Sequence, residues 1–253
     1  MIEVKENKVF EIPKSIKKGA KFPFCPGCDH GVAIKLIAEV MDELGLREKT
    51  IGVSSIGCSV MLYDFLDIDC VEAPHGRALA VATGVKRAKP DNFVLTYQGD
   101  GDFASIGLAE SMHAALRGEK ITAICINNTT YGMTGGQGGP TTVMGQVTTT
   151  SPTGRNKEYH GYPIKIAEQI ALCDGTVYAT RCSLDSIPNI RKTKQAIKKA
   201  FEIQLEGLGF AFVEILATCP TNWRMSPQKA HQRVRDELFQ IYPLGEFKLV
   251  NSK

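Results

Sequence analysis

Apolar residues recur at helical spacing through Ile34, Ile37, Val40, Met41 and Leu44, and Gly45 stands where such a helix would stop. A short apolar run over 51–54 then has the character of a buried strand. The alternation continues with a strand over 70–73, a small-residue helix over 77–88, a strand over 93–97, a helix over 106–116 closed by Gly118, and a strand over 121–126. Short apolar strands alternating with helices predict an α/β protein with a doubly wound, mainly parallel sheet. From 127 to about 162 the pattern lapses into Gly, Thr, Pro and Ser, including the run Tyr131-Gly-Met-Thr-Gly-Gly-Gln-Gly-Gly-Pro-Thr-Thr142. A structureless loop of that length inside a compact domain is usually functional or disordered. Beyond it the pattern predicts a helix over 164–172, a strand over 177–181, a basic amphipathic helix over 190–205, a strand over 210–216 and a short helix over 228–240.

The 253 residues suit one α/β domain or two small ones, with length enough for a real core. No internal repeat and no linker interrupts them. The organisation expected is an N-terminal arm over 1–24, a cofactor domain over 25–225, and a C-terminal helix and tail over 226–253. A net charge of +3 is too near neutral to point to nucleic acid or a membrane surface as the main partner. The basic face Arg191, Lys192, Lys194, Lys198 and Lys199 reads as solvated surface. The leader Met1-Ile-Glu-Val-Lys-Glu-Asn-Lys8 carries charges instead of the apolar stretch of a signal peptide, and no run of about 18 apolar residues occurs. A cytoplasmic protein is expected.

Eight cysteines in a reducing compartment call for packing, metal or redox explanations rather than disulfides. Cys125, Cys173 and Cys182 sit in apolar runs and read as buried packing, as does Cys70. Cys25 and Cys28 form the knuckle Phe24-Cys-Pro-Gly-Cys-Asp-His30, Cys58 follows a strand in Ile56-Gly-Cys-Ser59, and Cys219 lies in Thr218-Cys-Pro-Thr221. Four thiolates in turn-like settings satisfy structural Zn²⁺ and a [4Fe-4S] cluster equally well.

The segment Gly99-Asp100-Gly101-Asp102-Phe103-Ala104, between a strand and a helix, fits the glycine fingerprint of dinucleotide-binding folds. Bare backbone N–H groups at a helix start hold pyrophosphate there, and a carboxylate set between the glycines would repel it. A divalent cation between Asp100 and a diphosphate removes the objection by reversing the local field. Mg²⁺ takes oxygen ligands in octahedral geometry, and a carboxylate, an amide oxygen, a carbonyl and phosphate oxygens supply them. Asp100 and Asn128 end consecutive strands, so both come to the C-terminal edge of a parallel sheet, where ligands bind in this architecture. His75-Gly76-Arg77 is a polar trio at another strand end.

Gly99-Asp100-Gly101, followed after a helix and a strand by Asn127-Asn128, resembles the thiamine diphosphate motif, which anchors Mg²⁺ and the cofactor's diphosphate. The resemblance implies Asp100, the Asn128 side chain and the Thr130 carbonyl as metal ligands. It also brings Gly99, Gly101, Asp102, Tyr131, Gly132 and Met133 to the cofactor. Electrons left by decarboxylation of a 2-oxo acid at such a site need an acceptor, and the chain carries no flavin or lipoyl signature, so a cluster is expected over zinc.

Taken in order, C-P-G-C, G-C-S, H-G-R-A, G-D-G and N-N-x-x-Y-G-M-T-G-G-Q closely resemble the β subunit of 2-oxoacid:ferredoxin oxidoreductases, over 22–223. The resemblance implies one [4Fe-4S] cluster on Cys25, Cys28, Cys58 and Cys219. It places Ile56, Gly57, Cys58 and Ser59 against the cofactor, and His75 and Arg77 near thiazolium and substrate, His75 transferring or orienting a proton. Cys58 joins the two centres. The activity implied is coenzyme A-dependent oxidative decarboxylation of a 2-oxo acid, with electrons passing through the cluster to ferredoxin. The glutamate that activates the aminopyrimidine is expected on an α subunit, with γ and ferredoxin-like δ subunits alongside. Gly135 in the glycine loop, and apolar Val60, Met61 and Leu62 beside Cys58, offer no cation for a distal carboxylate. That favours 2-oxoisovalerate and other branched-chain acids. The alternatives are a 2-oxoglutarate enzyme, whose cation an α subunit would supply, a non-redox thiamine decarboxylase or synthase with structural zinc, and a non-catalytic metal-binding scaffold.

Overall fold

The structure, a computed structural model, describes residues 11–250. The charged leader, the first ten residues of the expected arm and the last three of the expected tail lie outside the described residues. In chain order the elements are α1 (His30–Leu44), β1 (Thr50–Ser55), α2 (Leu62–Phe65), β2 (Asp69–Ala73), α3 (Ala78–Ala88), β3 (Phe93–Gly99), α4 (Leu108–Leu116) and β4 (Thr122–Asn127). A hairpin of β5 (Thr130–Tyr131) and β6 (Gln137–Gly138) follows, then α5 (Lys157–His160), α6 (Ile166–Ala171), β7 (Thr176–Ser183), α7 (Ile187–Leu205) and β8 (Phe210–Leu216). The chain closes through α8 (Pro220–Trp223), α9 (Pro227–Arg233), α10 (Phe239–Ile241) and β9 (Gly245–Leu249).

Seven strands form one sheet in the order β2-β1-β3-β4-β8-β7-β9. All neighbours are parallel except β9, which runs antiparallel to β7. The central strands β3, β4 and β8 are apolar on both faces because helices cover both. Phe93, Leu95 and Tyr97 of β3 join α1, α2 and α7 in one core, whereas Val94 joins α3, α4 and α6 in the other. From β1 the chain steps out to β2 and then crosses back to β3 on the other side. The crevice beyond the carboxyl ends of β1 and β3 is therefore the topological switch point, where open α/β sheets bind ligands. The doubly wound α/β architecture expected from the sequence is the one observed.

Element bounds agree closely for α1, whose stop is Gly45 at φ +64°, and for β8. Five differences have physical causes. The segment 127–162 is ordered, held by the β5–β6 hairpin and by Arg155, whose guanidinium donates to the carbonyls of Gly139, His160, Gly161 and Tyr162. The helix read from 106 begins with a wide turn over Asp102–Ile106 before α4. In α7 the first turn accepts Pro188 after an extended Ser186, so this helix starts at Ile187 rather than 190. The tail supplies an unforeseen edge strand, β9, and so belongs to the sheet. The basic face of α7 is not simply solvated either, because Lys194 pairs with Glu39 and Glu43 of α1 at 2.7 and 2.8 Å. Cys125, Cys173 and Cys182 are buried, and Cys70 is half-buried on β2.

Candidate functional site

Loops leaving β1, β2, β3 and β4 meet at the switch point and line one cleft. Its walls are Ile56, Gly57, Cys58, Ser59, His75, Gly99, Asp100, Gly101, Asp102, Asn128, Thr130, Tyr131, Gly132 and Met133, with His30 and Thr134. Chain connectivity explains the convergence, since every one of these but His30, which opens α1, lies at or beyond the carboxyl end of a strand.

Asp100 ends β3 and is 2% exposed. Burial raises its carboxyl to about 7, against hydrogen bonds from the Thr141 hydroxyl and backbone N–H groups that pull it down. No Lys or Arg among the described residues lines the cleft to offset the cost of ionising this acid. Gly101 is held open beside it, because a Cβ there would lie 2.1 Å from the Tyr131 ring. Asn128 follows β4, its Oδ1 accepting the Thr130 N–H at 3.2 Å and its carbonyl the Trp223 indole N–H at 3.2 Å. Between them Thr129 takes φ +60°, a left-handed conformation costly for a β-branched residue. Its N–H donates to Asn127 Oδ1, and its carbonyl accepts from Thr142 and Gln146. The strained turn therefore presents Asn128 and Thr130 on the same side of the sheet edge as Asp100. The Asp100 carboxylate, the Asn128 amide oxygen and the Thr130 carbonyl are oxygen donors of the kind Mg²⁺ takes.

The four cysteines expected to act together lie behind one wall of the cleft. A Cβ on Gly132 would stand 3.5 Å from the Cys219 sulfur and 3.6 Å from that of Cys58. Asn222 donates to the Gly132 carbonyl at 2.9 Å and to the Cys219 sulfur at 3.1 Å. The Cys25–Cys28 knuckle closes on itself through the Cys28 N–H to the Cys25 carbonyl at 3.0 Å. Asp29 then fastens the knuckle to the Cys219 loop, accepting from the Thr218 N–H at 2.8 Å, the Thr218 hydroxyl at 3.0 Å and the His231 ring at 2.9 Å. Burial pushes Cys28 up to about 12 and Cys58 to about 11, with the neighbouring cysteines adding to each. Such thiols ionise only when a bound metal compensates them. The sulfurs are neighbours without converging, and no three His, Cys, Asp or Glu groups among the described residues close on a point suited to a single metal ion. His30, packed against Phe24, bonds Tyr97 at 2.7 Å and is kept neutral by burial, which lowers it to about 4.

Arg77 stands apart from the other expected residues. Its guanidinium is tied to the Gly76 and Ile106 carbonyls and to Glu110 at 2.7 Å, outside the cleft. Leu62 is fully buried in the core, and neither Val60 nor Met61 lines the cleft, so its apolar flank is formed by Ile56 and Met133. Sequence reasoning missed Thr141, Ser55 and His30, single polar residues drawn in from other segments, and Gln98, which directly precedes the glycine turn on β3. Asn222 and Trp223 were visible within Cys219-Pro-Thr-Asn-Trp223, but without assigned contacts.

Residues 55–215 match the family described as thiamine pyrophosphate enzyme, C-terminal TPP binding domain. The chain is 46% identical over 95% of its length to ketoisovalerate oxidoreductase subunit VorA of Methanothermobacter thermautotrophicus, covering 52% of that relative. It thus spans about half the length of the ketoisovalerate relatives it matches. To 2-oxoglutarate synthase subunit KorB of Archaeoglobus fulgidus it is 38% identical, the match covering 89% of this chain and 84% of that one. Among solved structures, a chain of the 2-oxoglutarate:ferredoxin oxidoreductase from Magnetococcus marinus, with 2-oxoglutarate, coenzyme A and succinyl-CoA bound, superposes with a TM-score of 0.77. That match is 27% identical and covers 98% of this chain and 88% of the other.

Proposed function

The chain belongs to the thiamine pyrophosphate enzyme family, among the 2-oxoacid:ferredoxin oxidoreductase subunits, and on that premise we propose that it is the cofactor-binding β subunit of such an enzyme. Asp100, the Asn128 side chain and the Thr130 carbonyl would hold Mg²⁺. Gly99, Gly101, Tyr131, Gly132 and Met133 would line the diphosphate, and Cys25, Cys28, Cys58 and Cys219 would carry a [4Fe-4S] cluster. Bound there, thiamine diphosphate supplies the nucleophilic carbon and electron sink for decarboxylating a 2-oxo acid, and the cluster supplies a one-electron exit.

The chain's own residues account for the remainder. Asp100 holds the cation, and the strained Thr129 turn keeps Asn128 and Thr130 in register with it. His75 stands beside the reacting region with one ring nitrogen available for a proton. Cys58 lies in the cleft wall and next to the other thiols, so it would hold a cluster beside the bound cofactor. The observation that carries the reading is Asp100 itself, a buried acid between glycines at the switch point, facing a cleft whose described lining holds no Lys or Arg.

For substrate, the Ile56 and Met133 flank and the absence of Lys or Arg from the cleft's described lining support 2-oxoisovalerate or another branched-chain acid, yielding acyl-CoA and CO₂. The relatives named for 2-oxoglutarate favour a second reading, with the cation for the distal carboxylate supplied by a partner chain. An α subunit carrying the pyrimidine half, a γ subunit, a ferredoxin-like δ subunit and ferredoxin complete the proposed assembly, placed in the cytoplasm. Among the described residues no helix is long and apolar enough to cross a membrane. The test is to assemble the complex anaerobically and measure reduction of a low-potential acceptor with coenzyme A and a panel of 2-oxo acids. Asp100→Ala is expected to abolish both cofactor binding and reduction.

A further inference from the structure

Asp102 lies two residues beyond Asp100 and is equally buried, at 2% exposed, yet protein donors engage its carboxylate. Oδ1 accepts from the Ser55 hydroxyl at 2.8 Å, from the Gly76 N–H at 2.6 Å and from His75 Nδ1. Oδ2 accepts from the Gln98 amide at 2.6 Å. Three donors thus crowd Oδ1 and one holds Oδ2, so both oxygens are engaged by the protein and only Oδ2 keeps an open lone pair. Most of the carboxylate's accepting capacity is spent within the protein, and its charge would repel a diphosphate.

The donors come from three separate segments, Ser55 at the end of β1, the His75–Gly76 loop after β2 and Gln98 of β3, so the arrangement is built by the fold rather than by local sequence. Gly76 makes one of them reachable. It adopts φ +75°, and a Cβ on it would lie 2.6 Å from the Ile106 carbonyl carbon, so only glycine lets this loop press against the wide turn after Asp102. The Gly107 N–H closes the same turn on the Asp102 carbonyl at 2.9 Å.

We propose that Asp102 is a positioning residue that fixes the tautomer and orientation of His75, and not a contact to the cofactor's diphosphate. The argument is one of proton inventory. Because the carboxylate oxygen only accepts, His75 Nδ1 must carry the hydrogen, and the ring's free lone pair is then on Nε2. Among the described residues Nε2 makes no hydrogen bond, while the ring lines the cleft edge-on to Tyr131, with centroids 6.2 Å apart. Asp102 thus delivers an acceptor nitrogen to the reacting region and prevents the ring from turning over. This inference rests on the 2-oxoacid reading of the cleft for what Nε2 acts upon.

The test uses the assembled complex labelled with ¹⁵N-histidine, the His75 signals being assigned by difference against His75→Gln. The expected result is a proton on Nδ1 and a bare Nε2 in the wild type. In Asp102→Asn the proton should shift to Nε2, and kcat should fall by about 100-fold or more. KM for the 2-oxo acid and the affinity for thiamine diphosphate should stay within about threefold. A wild-type His75 with its proton on Nε2 and a bare Nδ1 overturns the proposal, and needs no variant to fold. An Asp102→Asn complex with unchanged kcat and weakened cofactor binding also overturns it, returning Asp102 to the diphosphate. If no 2-oxo acid reduces an acceptor in the wild type, the proposed function fails, whereas the His75 tautomer still decides the role of Asp102.

Discussion

At Asp100 the direction of a pH effect follows from burial. Its carboxyl is raised from 3.8 to about 7, so the folded, metal-free chain takes up a proton that the unfolded chain releases between those values. Stability should therefore fall as pH rises from about 4 to about 7, and the full cost persists above that window. A cation at Asp100 favours the ionised form and reverses the cost. Mg²⁺ with thiamine diphosphate should accordingly raise the melting temperature more at about pH 8 than at about pH 5.5, and Asp100→Asn should lose most of the increment. Equal increments at the two pH values would count against metal binding at this residue. Thr129 makes a second prediction. Its hydroxyl has no partner among the described residues, and its backbone is strained by about 1 kcal/mol or more. Thr129→Gly should shift the unfolding midpoint little while raising the dissociation constant for Mg²⁺-thiamine diphosphate about 10-fold, read by titration calorimetry. An unchanged constant would show that the turn's rigidity is not what orders Asn128 and Thr130. Asp100, Asn128 and the four cysteines were legible in the sequence because their residue types break the local pattern. Ser55 and Thr141 were not, since a lone polar residue carries no signal until the fold brings it to a carboxylate.

Elements matter to the site chiefly through Glu214, fully buried on β8. Its carboxylate accepts from the Arg181 guanidinium on β7 at 2.9 Å, from the Ala167 N–H of α6 at 3.2 Å and from the Asn127 amide at 2.7 Å. Asn127 in turn receives the Thr129 N–H, so the ion pair in the core braces the Asn128–Thr130 turn. Glu214→Ala leaves the buried Arg181 with Glu168 as its remaining carboxylate and should cost about 3–5 kcal/mol in denaturant unfolding, with Glu214→Gln costing less. A loss below about 1 kcal/mol would mean that Glu168 suffices. The parallel strands were readable because strands covered on both faces are continuous apolar runs. β9 was not, because Gly245-Glu-Phe-Lys-Leu249 is an edge strand paired on one side only, and its polar residues hide it. The order in 127–162 escaped notice for a related reason. It rests on side-chain bonds to carbonyls, above all from Arg155, which leave no trace in hydrophobic periodicity.

For the molecule as a whole, the cleft opens to the surface with Ile56 38% and Met133 44% exposed at its mouth. No described residue in its lining is a glutamate that could activate an aminopyrimidine. The chain by itself should therefore bind Mg²⁺-thiamine diphosphate without turning over substrate, and activity should appear only when partner chains are added. The most direct measurement is acceptor reduction by the anaerobically assembled complex, supplied with coenzyme A and 2-oxoisovalerate or 2-oxoglutarate. The account predicts coenzyme A-dependent reduction, faster with 2-oxoisovalerate and abolished by Asp100→Ala; decarboxylation without reduction of any acceptor would contradict it.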